Sequence, residues 1–219
     1  MSSVPLSASS DIIPSLRVDS PHLDLQELTP DLWPALEKLF GPNGACGGCW
    51  CMFWRLPASE RYDDVKGPRA KARFKGLVKR GKVHGILAFH EGEPVGWCAF
   101  ERRVELPRLD RSPSLKIADA DRVWSLPCFF VKARWRNRGV AARMLAAAEK
   151  ALVARGAEIA EGYPVKFGER LAAAFAYTGV TSMFDACGFA VAEARPKGKQ
   201  RYRKVLQTAR LRRRGDLRD

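Results

Sequence analysis

No run of apolar residues in this 219-residue sequence approaches the roughly 18–20 that span a bilayer, so a helical membrane protein is not expected. Residues 1–20 lack the basic-then-apolar order of a secretory signal. They read as a Ser- and Pro-rich disordered leader, and a cytoplasmic location is expected. Cysteine is sparse: six thiols in this length make no disulfide scaffold, and cytosolic thiols stay reduced. Histidine is sparser, with three residues. His22 lies by the leader, while His84 and His90 flank an expected strand, so surface or edge positions are expected. Internal repeats are absent as well.

What is present is ordinary globular material. With 46% hydrophobic and 28% charged residues, the chain has apolar mass for one core, assigned to a single domain over residues 21–206. The formal charge is +14, and residues 195–219 hold eleven Lys/Arg against two Asp. A basic C-terminal tail is therefore drawn over residues 207–219. Its Arg210, Arg212, Arg213 and Arg214 suit phosphates but have no interleaved aromatics, so nucleic acid is not expected as the main partner.

Periodicity orders the elements. Residues 23–28 alternate as a strand, and Thr29-Pro30-Asp31 opens a helix through about Phe40. Residues 41–50, rich in Gly and Cys, are loop at least in part. Residues 68–82 form a basic helix with Ala70, Phe74, Leu77 and Val78 on one face. Strands at 84–90 and 94–101 flank a hairpin turn, and residues 106–121 are irregular. The strongest strand, 122–132, leads into a helix over 139–155 striped with Ala141, Met144, Leu145, Ala148 and Leu152. A strand at 158–163, a short helix at 181–187 and a strand pair at 189–194 and 200–206 follow. The class is mixed α/β, with hairpin-connected strands around one strand–helix–strand unit.

The junction Arg136-Asn137-Arg138-Gly139-Val140-Ala141 carries the chemistry. The first turn of a helix has unpaired N–H groups and a partial positive charge, which suits phosphate. Gly139 lets backbone approach a ligand, and Arg134, Arg136, Arg138 and Arg143 suit a multiply charged pyrophosphate. A tight turn with solvated arginines fits the same residues.

Residues 131–141, from Val131 through Gly139 to Ala141, resemble the acetyl-CoA signature of the GNAT superfamily of N-acetyltransferases. Ser182-Met183-Phe184-Asp185-Ala186-Cys187-Gly188-Phe189 looks like its second motif, a short helix ending in Gly-Phe. The resemblance implies a twisted, mainly antiparallel sheet flanked by helices, splayed between the strands ending near Lys132 and Tyr163. It implies acetyl-CoA as co-substrate, with pantetheine along Phe129, Phe130 and Val131 and the pyrophosphate on Arg136, Asn137, Arg138, Gly139, Val140, Ala141 and Arg143. Pro127 fits a strand bulge there. A homodimer is also compatible with this family.

Direct transfer to a primary amine, of a small molecule or a protein, needs a base, an oxyanion donor and an acid for the leaving thiolate. The family's frequent acid, a Tyr, is replaced here by Phe184. Tyr163 and Tyr177 are the hydroxyls expected to stand in, and Glu161 is the nearest carboxylate for the base. Cys46, Cys49 and Cys51 fall short of the four ligands of a closed zinc site, so no metal is expected. Trp50, Phe53 and Trp54 beside them are expected to shape an acceptor pocket with an apolar part. Other readings of the same fold are a non-catalytic acyl-CoA-binding module, one acting on nucleic acid or a protein partner, or a small metal sensor at the cysteines.

Overall fold

The computed structural model describes residues 22–166, 176–195 and 198–206; the expected leader and basic tail lie outside them. Seven strands form one sheet in the order β1-β2-β3-β4-β5-β7-β6. β1 (Asp24–Glu27), β2 (His84–His90), β3 (Glu93–Arg102) and β4 (Val123–Val131) make an antiparallel half. β5 (Ile159–Gly162), β6 (Ala190–Glu193) and β7 (Arg201–Val205) make a second. The halves meet at β4 and β5, where pairing is parallel.

Helices close both faces. α1 (Trp33–Phe40), α2 (Tyr62–Val65) and α3 (Pro68–Lys79) lie on one, where Trp33, Leu36, Phe40, Phe74 and Val78 pack on Leu87 and Trp97. α4 (Val140–Ala154) lies on the other and buries Val140, Met144, Leu145, Ala148 and Leu152 against Val95, Leu126 and Phe129. Burying each large apolar side chain contributes about 1.5–3 kcal/mol.

The expected elements are present with altered ends. The helix expected from Thr29 begins as a 3-10 turn, Pro30–Leu32, and becomes α-helical only at Trp33. The basic helix stops at Lys79, short of Lys82, because Gly81 turns left-handed at φ 64°. The irregular stretch holds two 3-10 turns, Pro107–Arg111 and Ala120–Arg122, and a third precedes it at Arg103–Glu105.

The central feature is a parting of strands. β4 and β5 pair from Val123↔Ile159 to Leu126↔Gly162, where the ladder ends. On the β3 side, Glu101 pairs with Ser125 and Ala99 with Cys128, so Leu126 and Pro127 together face Phe100. This is a β-bulge, and Pro127, with no N–H to donate, sits in it. Beyond β5, Val165 takes Gly179 and Thr181 as backbone partners, which leads the chain away from β4.

Phe184 of α5 (Thr181–Ala186) fills the wedge, fully buried and edge-on to Phe129 and Phe189. A Cβ at Gly162 would overlap its ring. Gly162→Ala should therefore cost about 1–3 kcal/mol as overpacking, measured by urea unfolding. An unchanged midpoint would remove Phe184 from this role.

Candidate active site

The cradle is built where β4 leaves the sheet. Lys132 N–H bonds back to Val95 O at 3.0 Å. With Phe130 opposite Trp97, alternation turns the backbone groups of Phe130 toward β3 and those of Phe129 and Val131 toward the cleft. Of the three residues expected to face a ligand, two present their backbone to it. Val131 O already accepts from Arg136 Nε at 3.1 Å, which folds the following turn onto the strand end.

That turn is shaped by two left-handed residues, Asn137 (φ 58°) and Gly139 (φ 73°). Gly139 caps α4 without a side-chain bond, and the first intrahelical bond runs from Arg143 N to Gly139 O. The N–H groups of Val140, Ala141 and Ala142 are the donors that such a helix start leaves open. Among the described residues, a Cβ on Gly139 would meet nothing within 4 Å. Arg134 and Arg138 stack on Trp135, 6.0 and 5.6 Å from its ring centre, and Trp135 Nε1 is buried without a partner. Arg143 reaches back to Leu23 O at 3.4 Å. Open donors and two arginine heads fit an anionic, elongated ligand running from α4 to β4.

Two of the three expected proton-handling residues, Glu161 and Tyr163, join one hydrogen-bonded chain at the point where β4 and β5 part, and Tyr177 stands outside it. Ser125 Oγ and Tyr163 Oη lie 2.7 Å apart, and Tyr163 donates to Glu161 Oε1 at 2.9 Å. Arg203 Nε donates to Glu161 Oε2 at 2.5 Å, and its other nitrogens grip Asp119 at 2.8 and 2.9 Å. Ser125, Glu161 and Tyr163 are all fully buried. Burial, then the Glu161 charge, push the Tyr163 hydroxyl well above its ordinary value, so it stays a phenol. Tyr177 is also pushed up, by burial first, and lies half-buried under Lys199 Nζ at 5.0 Å from its ring.

The acceptor-side aromatics separate. Trp54 packs with Leu106, Leu109, Leu115 and Tyr163, with Phe53 and Tyr177 at the margin. Trp50 does not join them; it is buried between Trp33 and Phe40 in the α1–α3 core. Its left-handed backbone (φ 44°) turns the ring inward, away from Phe53 and Trp54. Trp54 Nε1, Thr178 Oγ1 next to Tyr177, and Nη1 of Arg108, which lies over the Phe53 ring, are buried without hydrogen-bond partners among the described residues.

Four buried or paired positions near the site were not singled out in the sequence. Ser125 was a hydroxyl in an apolar strand. Lys199, whose ammonium is held below its ordinary value by burial, lay in a basic run. Arg103 is fully buried and clamps Asp110 (2.6 Å) and Leu115 O (3.0 Å), fixing the segment that carries Leu106 and Leu109. Glu101 takes Arg55 at 2.6 Å and His84 at 3.0 Å, tying the Phe53–Arg55 turn to β3. The first two carry no local pattern; the last two were charges at the end of an apolar strand, a signal of burial with a partner.

The acetyltransferase (GNAT) family model matches residues 50–163. No curated protein matches the sequence. Among solved structures, the ribosomal-protein-S5-alanine acetyltransferase of Vibrio fischeri is 9% identical at TM-score 0.51, covering 85% of this chain and 94% of its own. The yncA protein of Salmonella typhimurium, held with its cofactor acetyl-CoA, is 11% identical at TM-score 0.51, covering 84% and 94%. An N-acetyltransferase of Staphylococcus aureus Mu50 is 12% identical at TM-score 0.50, covering 85% and 99%. At these identities the likeness is one of fold.

Among the described residues no helix is long and apolar enough to cross a membrane, and no cluster of three or more His, Cys, Asp or Glu could hold a metal.

Burial raises the Glu101 carboxyl, but the His84 bond and the Arg55 charge outweigh it and hold the group below 4.5. Its contribution is complete above the ordinary value of 4.5 and is lost as pH falls through the lower folded value. Glu101→Ala strands Arg55 and should cost about 3–5 kcal/mol at neutral pH. The variant should also lose less stability on acidification than the parent, as read by denaturant titration across acid pH.

Proposed function

The chain belongs to the acetyltransferase (GNAT) family, and from that premise we propose that it moves an acetyl group from acetyl-CoA to a primary amine of a small molecule or a protein by direct transfer. The single observation that carries this is the uncapped start of α4 beside the open edge of β4. Together they supply donors for a pyrophosphate and backbone partners for an extended thiol arm. Bound acetyl-CoA supplies the activated thioester; the protein supplies position and protons.

In this reading Arg136, Asn137, Arg138, Gly139, Val140, Ala141 and Arg143 take the phosphates, and the Phe129–Val131 edge holds the arm. The Val131 N–H, turned to the cleft, donates to the developing oxyanion. Ser125 accepts a proton from the incoming amine and passes its own to Tyr163, whose hydroxyl proton moves to Glu161. Arg203 stabilises that carboxylate before the transfer. Tyr177, kept protonated by burial, donates to the leaving thiolate in place of the hydroxyl that Phe184 lacks. Phe53 and Trp54 line the acceptor side with Arg108 and Thr178, and Trp50 supports them from the core. Residues 21–206 act as one domain, and six unpaired thiols suit a reducing cytosol.

Acetyl-CoA should raise the melting temperature of the purified protein, since a ligand of the native state stabilises it by mass action. Arg136→Ala with Arg138→Ala should shrink that shift and weaken acetyl-CoA at least about tenfold, the worth of ~1.4 kcal/mol. Tyr163→Phe should lower kcat by about 10²-fold or more while the KM for acetyl-CoA holds, read by thiol release on an amine panel. No melting shift at millimolar acetyl-CoA would sink the enzyme; a shift without thiol release would favour the non-catalytic binding module.

A further inference from the structure

Cys51 and Cys128 come from elements far apart in sequence and meet on the face of the sheet that α1 and α3 cover, packed against the core of Phe40, Trp50 and Trp97. Cys51 follows the Gly-rich loop, and Cys128 stands on β4 directly after Pro127. Their sulfurs share a hydrogen bond at 3.8 Å, and Trp97 Nε1–H donates to Cys51 Sγ at 3.3 Å. An indole nitrogen is donor only, so its contact favours a negative sulfur at Cys51. Arg55 adds positive charge nearby.

The placement is enforced. Trp50 and Cys51 are both left-handed, at φ 44° and 51°, a strained conformation for any residue but glycine. The buried Trp50 ring, stacked on Trp33 at 5.9 Å and packed on Phe40 at 5.5 Å, holds the turn in that shape. The Cys128 bond, opposed by burial and helped by Trp97, holds the Cys51 thiol low, while the same bond and burial hold Cys128 high. Two thiols in sulfur–sulfur contact, one of them also taking an indole N–H, have the geometry of a pair that can exchange. Other cysteines lack it: Cys46 is exposed, and Cys98 is fully buried and pushed up by that burial.

We propose that Cys51 and Cys128 form a peroxide-responsive dithiol that closes to a disulfide between the left-handed Trp50–Cys51 turn and β4. The Cys51 thiolate attacks one peroxide oxygen; an S–O bond forms, the O–O bond breaks, and the departing hydroxide takes a proton to become water. Cys128, losing its proton, then attacks the sulfenic sulfur; the S–S bond forms, the S–O bond breaks, and a second water leaves. The two thiols are oxidised by two electrons and the peroxide is reduced by two. Closing 3.8 Å to a bond of about 2.0 Å draws the turn onto β4 next to Phe129. The effect on acetyl-CoA rests on the function proposed above; the bond itself does not.

The test treats the reduced full-length protein with a small molar excess of hydrogen peroxide and counts thiols after denaturation. Of six thiols, two should be lost, with a Cys51–Cys128 linked peptide in the digest and recovery on adding dithiothreitol. Cys128→Ser should instead stop at a Cys51 sulfenic acid trapped by dimedone, and Cys51→Ser should give no linked peptide. Retention of all six thiols, linkage of Cys46 with Cys49 or of Cys51 with Cys98, or dimedone at Cys46 alone would overturn the proposal. In the oxidised protein the acetyl-CoA melting shift should shrink. If reduced protein shows no shift at all, the acetyltransferase reading fails while the dithiol stands on its peptide.

Discussion

The parting of β4 from β5 after Leu126 and Gly162 governs what this fold offers to a substrate. A closed ladder would consume every backbone donor and acceptor, and each group left buried without one costs about 1–3 kcal/mol. The sheet therefore needs reasons to open. Pro127 cannot donate, the bulge opposite Phe100 re-aims the strand, and Val165 finds partners at Gly179 and Thr181. Phe184 then fills the wedge, its ring edge-on to Phe129 at 6.0 Å and Phe189 at 5.1 Å. The missing hydroxyl is thus consistent with position: this ring is packed as core, and a phenol there would need a buried partner.

Charge is spent on the same region. Arg55–Glu101, Arg103–Asp110 and Asp119–Arg203–Glu161 each fasten a short irregular segment to a strand. Removing one member of such a set strands the other in low dielectric, so these segments are held by the cost of leaving as much as by attraction. Part of the basic surplus read as C-terminal lies here. Arg201, Arg203 and Lys204 of β7 pair with Glu193, Glu161, Asp119 and Glu149 and are half-buried. That charge belongs to the domain's interior bookkeeping rather than to a phosphate-binding surface.

Much of the fold was legible because its signals are local. The stripe of Met144, Leu145, Ala148 and Leu152, the hairpin at Glu91 and Gly92, and Gly139 before α4 each speak within a few residues, and each stands where expected. Helix ends were less so: the helix read from Thr29-Pro30-Asp31 starts as a 3-10 turn at Pro30–Leu32 and becomes α-helical only at Trp33. The site was half legible. The α4 cradle is a run of adjacent residues and could be read. The Ser125–Tyr163–Glu161–Arg203 chain joins β4, β5 and β7, and only strand register brings it together. Trp50 shows the reverse case: three aromatics close in sequence were read as one wall, and a left-handed turn sends one of them to the other core.

The account stands on the β4 edge, so the sharpest measurement is residue-resolved amide hydrogen exchange with and without acetyl-CoA. Phe129 and Val131, whose N–H groups face the cleft, should exchange readily in the free protein and slow when acetyl-CoA is added. Phe130, already bonded to β3, should be slow in both. Equal exchange at all three residues, or slowing confined to other strands, would contradict a cleft opened at β4 to receive the thioester arm.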